Sequence, residues 1–210
     1  GGNPGAVSTI DRIDYSNDTA TASVKGPLSV GRNALAATGN DSFGYFAGGP
    51  SLSTVDRIDY SNDTATASVK GPLSDARHYF AALSARANGF TVVGPAVVSN
   101  AAAVAGSFNP TTFGYFGGGA LTNSTVDRID YSNDTATAAV KGPLSLARRY
   151  MGATSNSSFG YFGGGGPSES TVDRIDYSND TATASPKGPL SAARYGLSAT
   201  GNANFGYFGA

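Results

Sequence analysis

A 25-residue stretch decides the fold of this chain: Ser53–Arg77, STVDRIDYSNDTATASVKGPLSDAR. It recurs with few changes from Ser8, Ser124 and Ser170, so the chain holds four copies. Self-similarity at a period of about 20 to 50 residues is typical of arrays whose units bury their apolar faces only by packing against neighbouring units. The repeat therefore predicts that residues 1–210 form a single domain built as an array.

The composition agrees with short strands separated by turns. The chain has 29 glycines, 11 tyrosines and 11 phenylalanines, but one methionine and no cysteine or tryptophan. The formal net charge is −1 and charged residues make up 14%, which is unlike the basic surface that nucleic acid requires. No stretch approaches the roughly 18 apolar residues of a membrane helix. We therefore expect no nucleic-acid partner and no membrane insertion.

One repeat reads as four short strands separated by turns. In the copy that spans Arg148–Arg194, glycine and proline follow the second strand, and Ser-Asn-Asp separates the third from the fourth. Four short strands in about 46 residues predict an antiparallel meander, which is the blade of a β-propeller. We expect blades to bury both faces of each sheet. The predicted strands are Tyr150–Thr154, Phe159–Phe162, Thr171–Tyr177 and Thr181–Lys187.

Several recurring features resemble the kelch family of propeller repeats. Each unit has an aromatic strand that ends in glycines, an Asp-Tyr pair in the next strand and a closing Pro-Leu-Ser-x-x-Arg. The aromatic strands are Phe43–Gly49, Phe113–Gly119 and Phe159–Gly165, and the pairs include Asp59-Tyr60 and Asp176-Tyr177. The chain departs from kelch repeats in the fourth strand, where lysine stands near the usual tryptophan. These lysines are Lys25, Lys70, Lys141 and Lys187.

The amino-acid sequence of the repeat is also similar to that of repeat proteins encoded by marine bacteriophages that infect cyanobacteria. The shared phrases are Phe-Gly-Tyr-Phe-Gly-Gly-Gly and Asp-Arg-Ile-Asp-Tyr-Ser-Asn-Asp. Together the two resemblances imply an all-β, kelch-like β-propeller of four-stranded antiparallel blades, with a virion or extracellular location.

The spacing of the aromatic strands bears on the number of blades. Their first residues, Phe43, Phe90, Phe113, Phe159 and Phe205, lie 47, 23, 46 and 46 residues apart. The short interval predicts a half-repeat insertion at about 97–119. Five first-and-second strand pairs against four third-and-fourth pairs favour five blades, one of them abbreviated; four blades, one enlarged, is the alternative. We expect the ring to close by pairing of 194–210 with 8–30.

The recurrent Asp-Arg-Ile-Asp motif predicts structural ion pairs between blades. Strand alternation places the arginine and the second aspartate on one face, where a guanidinium can bind a carboxylate with two parallel hydrogen bonds. A pair repeated in every copy serves the whole fold. The residues are Arg12, Asp14, Arg57, Asp59, Arg128, Asp130, Arg174 and Asp176.

The sequence offers few residues for a catalytic or a metal-binding site. His78 is the only histidine and Glu169 the only glutamate, so a His-based metal site or a Ser-His-Asp relay lacks partners. Asp14, Ser16 and Asp18 resemble half of a calcium loop, but the glycine and distal glutamate of an EF-hand are missing, and a hairpin turn explains the same residues. We therefore expect no enzyme activity, no metal and no cofactor.

The positions at which the copies differ form the candidate binding surface. Loops carry recognition while the strands hold them, and an aromatic residue beside an arginine can stack on a sugar or anchor a protein partner. The alternative is that these aromatics belong to the core of a slightly different blade. The candidates are His78, Tyr79, Phe80, Arg86, Arg149, Tyr150 and Glu169.

Three functions remain open at this point. The first is a non-catalytic structural or binding propeller on the exterior of a virion, as a fibre, decoration or receptor-binding module. The second is a cytosolic, kelch-type adaptor between proteins. The third is a lectin that binds several copies of a cell-surface glycan. The expected partner is a protein or a glycan, and the sequence leaves the oligomeric state open.

Overall fold

The computed structural model of the protein describes residues 5–85, 113–120 and 123–210, and these residues form sixteen β-strands and two short 3₁₀ turns. No helix in this part of the chain is long and apolar enough to cross a membrane. The strands are β1 Asp11–Arg12, β2 Ser23–Val24, β3 Ala36–Gly39, β4 Phe43–Ala47, β5 Val55–Asp59, β6 Ser68–Lys70, β7 Ala81–Ser84, β8 Phe113–Gly117, β9 Val126–Asp130, β10 Ala139–Lys141, β11 Gly152–Ser155, β12 Phe159–Gly163, β13 Val172–Asp176, β14 Ser185–Lys187, β15 Ser198–Gly201 and β16 Gly206–Gly209. The 3₁₀ turns are Tyr60–Asn62 and Tyr177–Asn179.

The strands form three complete sheets and two half-sheets. The complete sheets are antiparallel and four-stranded, in the orders β3-β4-β5-β6, β7-β8-β9-β10 and β11-β12-β13-β14. The half-sheets, β1-β2 and β15-β16, have two strands each. The all-β class and the four-stranded antiparallel meander are thus confirmed, and the arrangement is propeller-like.

The second and third strands of every complete sheet pair in the same register. The first phenylalanine of the aromatic strand lies opposite the second aspartate of Asp-Arg-Ile-Asp, as in Phe43 with Asp59 and Phe159 with Asp176. The glycine that follows the phenylalanine admits the tyrosine of the turn, because a Cβ on Gly44 would lie 2.9 Å from the Tyr60 hydroxyl. Glycine inside a strand permits this close approach.

The core lies between neighbouring sheets. Tyr45 stacks on Tyr131 of the next sheet at 4.8 Å between ring centroids, and Tyr115 stacks on Tyr177 at 5.2 Å. Four consecutive residues of β8, after its first phenylalanine, are buried, so both faces of this strand are covered. This explains why the aromatic strands are apolar throughout instead of alternating.

The insertion interrupts a hairpin of the second complete sheet. β8 pairs with β7 on one edge and with β9 on the other, so Ala81 lies opposite Gly117. The half-repeat prediction, in which about 97–119 supplies its own first and second strands, is wrong for Phe113–Gly117. β7 occupies this edge of β8 and packs Ala81 and Leu83 into the core. The rest of the predicted insertion, 97–112, lies outside the described residues.

Candidate functional site

A buried ion pair fixes the loop that enters each complete sheet. The arginine of Pro-Leu-Ser-x-x-Arg reaches the first aspartate of Asp-Arg-Ile-Asp in the third strand, and both side chains are at most 1% exposed. In the second sheet Arg77 Nη2 donates to Asp127 Oδ2 at 2.6 Å, and Ser74 donates to the same carboxylate through its backbone N–H and its hydroxyl. The three pairs are Arg32–Asp56, Arg77–Asp127 and Arg148–Asp173.

These buried pairs are structural, because each charge is neutralised by its partner and the terminal nitrogens of each arginine are hydrogen-bonded, which leaves only the Nε atom without a partner. Arg77 also donates to the carbonyls of Thr125 and Phe116. Burial lowers the pKa of Arg77 and the Asp127 charge opposes that effect, but a guanidinium stays protonated at any ordinary pH. Sequence reasoning missed the pairing, although both motifs recur in every copy.

A second set of ion pairs joins neighbouring sheets. Arg57 Nη1 lies 2.7 Å from Asp134 Oδ2, and Lys70 Nζ lies 3.4 Å from the other oxygen of this carboxylate. Arg128 and Lys141 hold Asp180 in the same way, and Arg12 and Lys25 hold Asp63. Arg12, Arg57 and Arg128 thus link neighbouring sheets, whereas Arg174, the fourth predicted arginine, has no ion-pair partner among the described residues. The carboxylate comes from Ser-Asn-Asp of the following copy.

The second aspartate of Asp-Arg-Ile-Asp has a different role from the one predicted. Asp59 accepts hydrogen bonds from the Ser61 hydroxyl at 2.6 Å and the Ser61 N–H at 2.9 Å, and these bonds lower the pKa of Asp59. Hydrogen-bond donors two residues away bind this carboxylate in preference to a distant guanidinium, because their binding requires little ordering of the chain. The aspartates to which this correction applies are Asp14, Asp59, Asp130 and Asp176.

Five side chains that vary between copies come together in a group that we call the tyrosine cluster. Its rings form a chain: His78 lies 4.6 Å from Tyr79, Tyr79 lies 4.4 Å from Tyr150, and Tyr150 lies 6.2 Å from Tyr195, all between centroids. The guanidinium of Arg149 lies 5.2 Å from the centroid of the Tyr150 ring. The cluster is His78, Tyr79, Arg149, Tyr150 and Tyr195.

Backbone hydrogen bonds between successive loops assemble this cluster. Tyr79 N–H donates to the carbonyl of Ala34, Tyr150 N–H to Tyr79 and Gly196 N–H to Tyr150, at 3.0, 2.8 and 2.9 Å. Each donor stands shortly before the first strand of its sheet. Those first strands, β3, β7, β11 and β15, line a shared cavity of about 290 Å³. The cavity is lined by the last two or three residues of each strand, so the loops gather at the opposite end, where the strands begin.

Two of the tyrosines adopt a backbone conformation that disfavours large side chains. Tyr79 has φ 58° and Tyr150 has φ 56°, both in the left-handed region. For a bulky residue this conformation is a genuine outlier and costs about 1–2 kcal/mol. The last copy has Gly196 at the same position, with φ 73°. The backbone itself thus favours glycine here, so a reason for tyrosine has to be sought in the side chain.

The cluster is open to solvent and carries positive charge. Tyr79 is 37% exposed and Tyr195 is 60% exposed, and Arg149 is also exposed. Within the described ranges, no carboxylate lies within salt-bridge distance of Arg149. Partial desolvation and the Tyr79 hydroxyl raise the pKa of Tyr150, so its phenol remains a neutral donor at ordinary pH.

The structure separates the predicted site residues into two groups. His78, Tyr79, Arg149 and Tyr150 meet in the cluster, joined by Tyr195, which sequence reasoning missed although it follows Arg194 as His78 follows Arg77. Phe80 was wrongly expected at a surface. It is 6% exposed and packs edge-on against Phe116 at 5.9 Å, because it is the first side chain that turns into the core after the strained loop.

The two remaining candidates do not add to the cluster. Glu169 precedes β13, and its backbone carbonyl accepts from Arg194 N–H at 3.1 Å. Arg86 lies outside the described residues. In the part of the chain that the structure describes, no group of three or more histidine, aspartate or glutamate side chains is placed to hold a metal ion.

Comparisons with known proteins assign no family. No protein-family model matches the chain, and a search of curated proteins returns no significant match. The function is therefore inferred from the geometry of the cluster itself.

Proposed function

We propose that this chain is a non-catalytic, kelch-like β-propeller that works as a binding module, with the tyrosine cluster as its binding surface. One observation carries the proposal. The copies are nearly identical in the residues that build the sheets, yet they differ at the two positions after the closing arginine, and these positions converge. The variable pairs are Asn33-Ala34, His78-Tyr79, Arg149-Tyr150 and Tyr195-Gly196.

The strained backbone of the cluster supports a binding role. Residues held in sparsely populated conformations concentrate at functional sites, where the side chain compensates for the strain through its function. The two tyrosines are also partly exposed, which reduces what their rings contribute to the core. A packing role alone does not explain tyrosine where the last copy has glycine.

A ligand-free experiment separates a binding role from a packing role. The double variant Tyr79→Gly/Tyr150→Gly removes both rings and relieves the left-handed strain. If the rings serve binding, its melting temperature should stay within a few degrees of the parent, because relief of strain offsets the lost ring contacts. If the rings are core, the loss should approach the roughly 3–5 kcal/mol of a large buried aromatic, and the proposal would be wrong. Phe80→Ala is the matched control that should show this large loss.

We further propose that the two half-sheets join to complete a fourth blade, so that the ring has four blades, one enlarged by the insertion. The free edge of β16 matches the free edge of β1. In the register of β12 with β13, Phe205 would lie opposite Asp14 and Tyr207 opposite Arg12. Four first strands around one cavity, and β7 rather than an inserted strand beside β8, support this count over five.

The charges of the half-sheets support the same join. Arg148 binds Asp173 and Arg128 binds Asp180. Their equivalents in the last copy are Arg194, whose matching aspartate is Asp11, and Arg174, whose matching aspartate is Asp18. As the half-sheets stand apart, none of these four groups has an ion-pair partner within the described residues. Joining β16 to β1 would supply all the missing partners together.

Engineered cysteines test the join without background, because the chain has no cysteine. Phe205→Cys with Asp14→Cys should form a disulfide within one chain, detected as a faster-migrating monomer on a non-reducing gel. A disulfide-linked dimer would instead show that the half-sheets of two copies pair, and absence of any disulfide would reject the register. Phe205→Cys with Ser23→Cys, on the outer strand, is the off-register control.

An exterior position on a phage particle is the setting that we propose for this module. The similarity of the repeat sequence to cyanophage repeat proteins supports this setting. The presence of four nearly identical copies of the repeat also supports it. Antibodies raised against the chain should label the surface of intact particles in electron micrographs. Label confined to the cytosol of the host would favour the adaptor function.

A further inference from the structure

We infer that the tyrosine cluster binds a carboxylated sugar, such as a uronic or sialic acid residue of a surface saccharide. This inference rests on the proposed binding function and names its ligand class. The features that carry it are an arginine without a carboxylate partner and, beside it, a row of three tyrosine rings of which the outer two are exposed.

Arg149 supplies the selectivity for an anion. Arg57, Arg77, Arg128 and Arg148 each have a carboxylate within 2.7 Å, whereas Arg149 has none within the described ranges. Arg174 and Arg194 also lack one, but the proposed join of the half-sheets would supply Asp18 and Asp11 to them, and no equivalent aspartate is available to Arg149. The Tyr150 ring, 5.2 Å from the guanidinium, holds the Arg149 side chain while leaving its outer donors accessible. A guanidinium fork matches the geometry of a carboxylate with two parallel hydrogen bonds.

The tyrosine rings supply a surface for the body of the sugar. Tyrosine offers a flat apolar face and a hydroxyl at its edge, and it loses little conformational entropy when it binds. The rings of Tyr79, Tyr150 and Tyr195 follow one another at 4.4 and 6.2 Å, and the outer two are the more exposed. The C–H face of a sugar ring can stack on them while the phenols bond its hydroxyls.

The size and polarity of the cluster favour a saccharide over a protein. A stable protein interface buries at least about 1,000 Å² and usually has apolar anchors in pockets. The cluster has five residues, all of them with polar atoms. The nearest apolar ring in the sequence, Phe80, points into the core and is not available as an anchor.

Titration calorimetry on the full chain tests the ligand class with four probes: glucuronic acid, N-acetylneuraminic acid, glucose and glucose 6-sulfate. At least one of the two acids should bind, and glucose should bind at least tenfold more weakly. Equal or tighter binding of the sulfate would overturn the preference for a carboxylate. No binding of either acid would overturn the inference. The two acids together show which kind of carboxylated sugar is preferred.

Variants assign the roles of the charge and the rings. Arg149→Gln should reduce affinity for the acid about tenfold, to the level of glucose, whereas Arg149→Lys should retain part of the preference. Tyr195→Ala should weaken acid and glucose by the same factor, and Tyr195→Phe should weaken both less. An unchanged affinity in Arg149→Gln would overturn the assignment of the charge, and unchanged affinity in Tyr195→Ala that of the rings.

The inference and the proposed function fail in different ways. If poly-glutamate binds and both acidic sugars do not, the ligand is an acidic protein segment; the inference falls and the binding function stands. If Tyr79→Gly/Tyr150→Gly unfolds and no probe binds, both fall.

Discussion

The complete sheets and the terminal half-sheets have nearly the same sequence in different surroundings. Ile13, directly after β1, is 58% exposed, whereas its equivalents Ile58 and Ile175 are 7% and 3% exposed. Tyr207 in β16 is 59% exposed, whereas Tyr45 is fully buried. Because the local sequence is nearly the same, these differences come from missing neighbours. The repeat encodes a strand pattern, and burial is supplied by the sheets on either side.

The largest expected effect concerns the arginine that enters each sheet. Arg148→Ala should lower the free energy of unfolding by about 3–5 kcal/mol, since it leaves Asp173 buried without a partner. If the half-sheets join as proposed, Arg194→Ala should lower the free energy of unfolding by a similar amount, because it would leave Asp11 without a partner. Urea unfolding measures both, with Arg149→Ala as an exposed control that should change little. A negligible effect of Arg194→Ala would mean that the half-sheets stay apart.

The next effect concerns the glycine of Gly-Pro-Leu-Ser. A Cβ on Gly142 would lie 1.8 Å from the carbonyl oxygen of Ala182 in the next sheet, so Gly142→Ala should cost about 1–3 kcal/mol or more by separating the sheets. Gly188 has no atom near its Cβ position as the half-sheets stand. Joining the half-sheets should bring Ala20 against Gly188. Gly188→Ala should then lower the melting temperature by about as much as Gly142→Ala does. Gly5→Ala, at a position outside the sheets with no atom near its Cβ, is the control.

A smaller effect is expected for the arginine between sheets. Arg128 is 24% exposed, and Lys141 would remain near Asp180 after its removal, so Arg128→Gln should cost about 1 kcal/mol. Arg174→Gln should match it if Asp18 is its partner in the joined ring. Equal values in low salt, reduced together at about 1 M salt, would support the pairing. An inert Arg174→Gln would contradict it.

The last effect is absent at neutral pH and appears only at alkaline pH. Burial, together with the hydrogen bond to Asp134, raises the pKa of Tyr45, and burial beside Asp180 does the same for Tyr115. A raised pKa in the folded state gives stability that is complete below the unfolded value of about 10 and is lost as pH rises above it. The melting temperature should therefore fall above about pH 10, and Tyr45→Phe should make this fall less steep. An unaltered slope in Tyr45→Phe would contradict the assignment.

The strand predictions succeeded where hydrogen bonds are local to one sheet. The strand predicted over Phe159–Phe162 is observed over Phe159–Gly163, and the strand predicted over Thr171–Tyr177 is observed over Val172–Asp176. The fourth strand was predicted from Thr181 but begins at Ser185. The reason is a contact between sheets, since Ala184 N–H donates to the carbonyl of Pro143 in the neighbouring sheet.

The candidate site was predictable in part. The variability of His78, Tyr79, Arg149 and Tyr150 pointed to the cluster, because these positions break a nearly exact repeat. The burial of Phe80 one residue later was not predictable from variability. Its direction depends on the left-handed backbone at Tyr79, which the sequence pattern of a bulky residue argues against.

By itself the sequence determined the unit: four short strands, the turns between them and the order in which the units follow one another. Turn residues and apolar runs act over a few residues, so they can be read from the chain. The tertiary structure decided which carboxylate each arginine binds and which loops meet. Arg77 and Asp127 are 50 residues apart, and Tyr79 and Tyr150 belong to different copies, so only the packing of one sheet on the next brings them together.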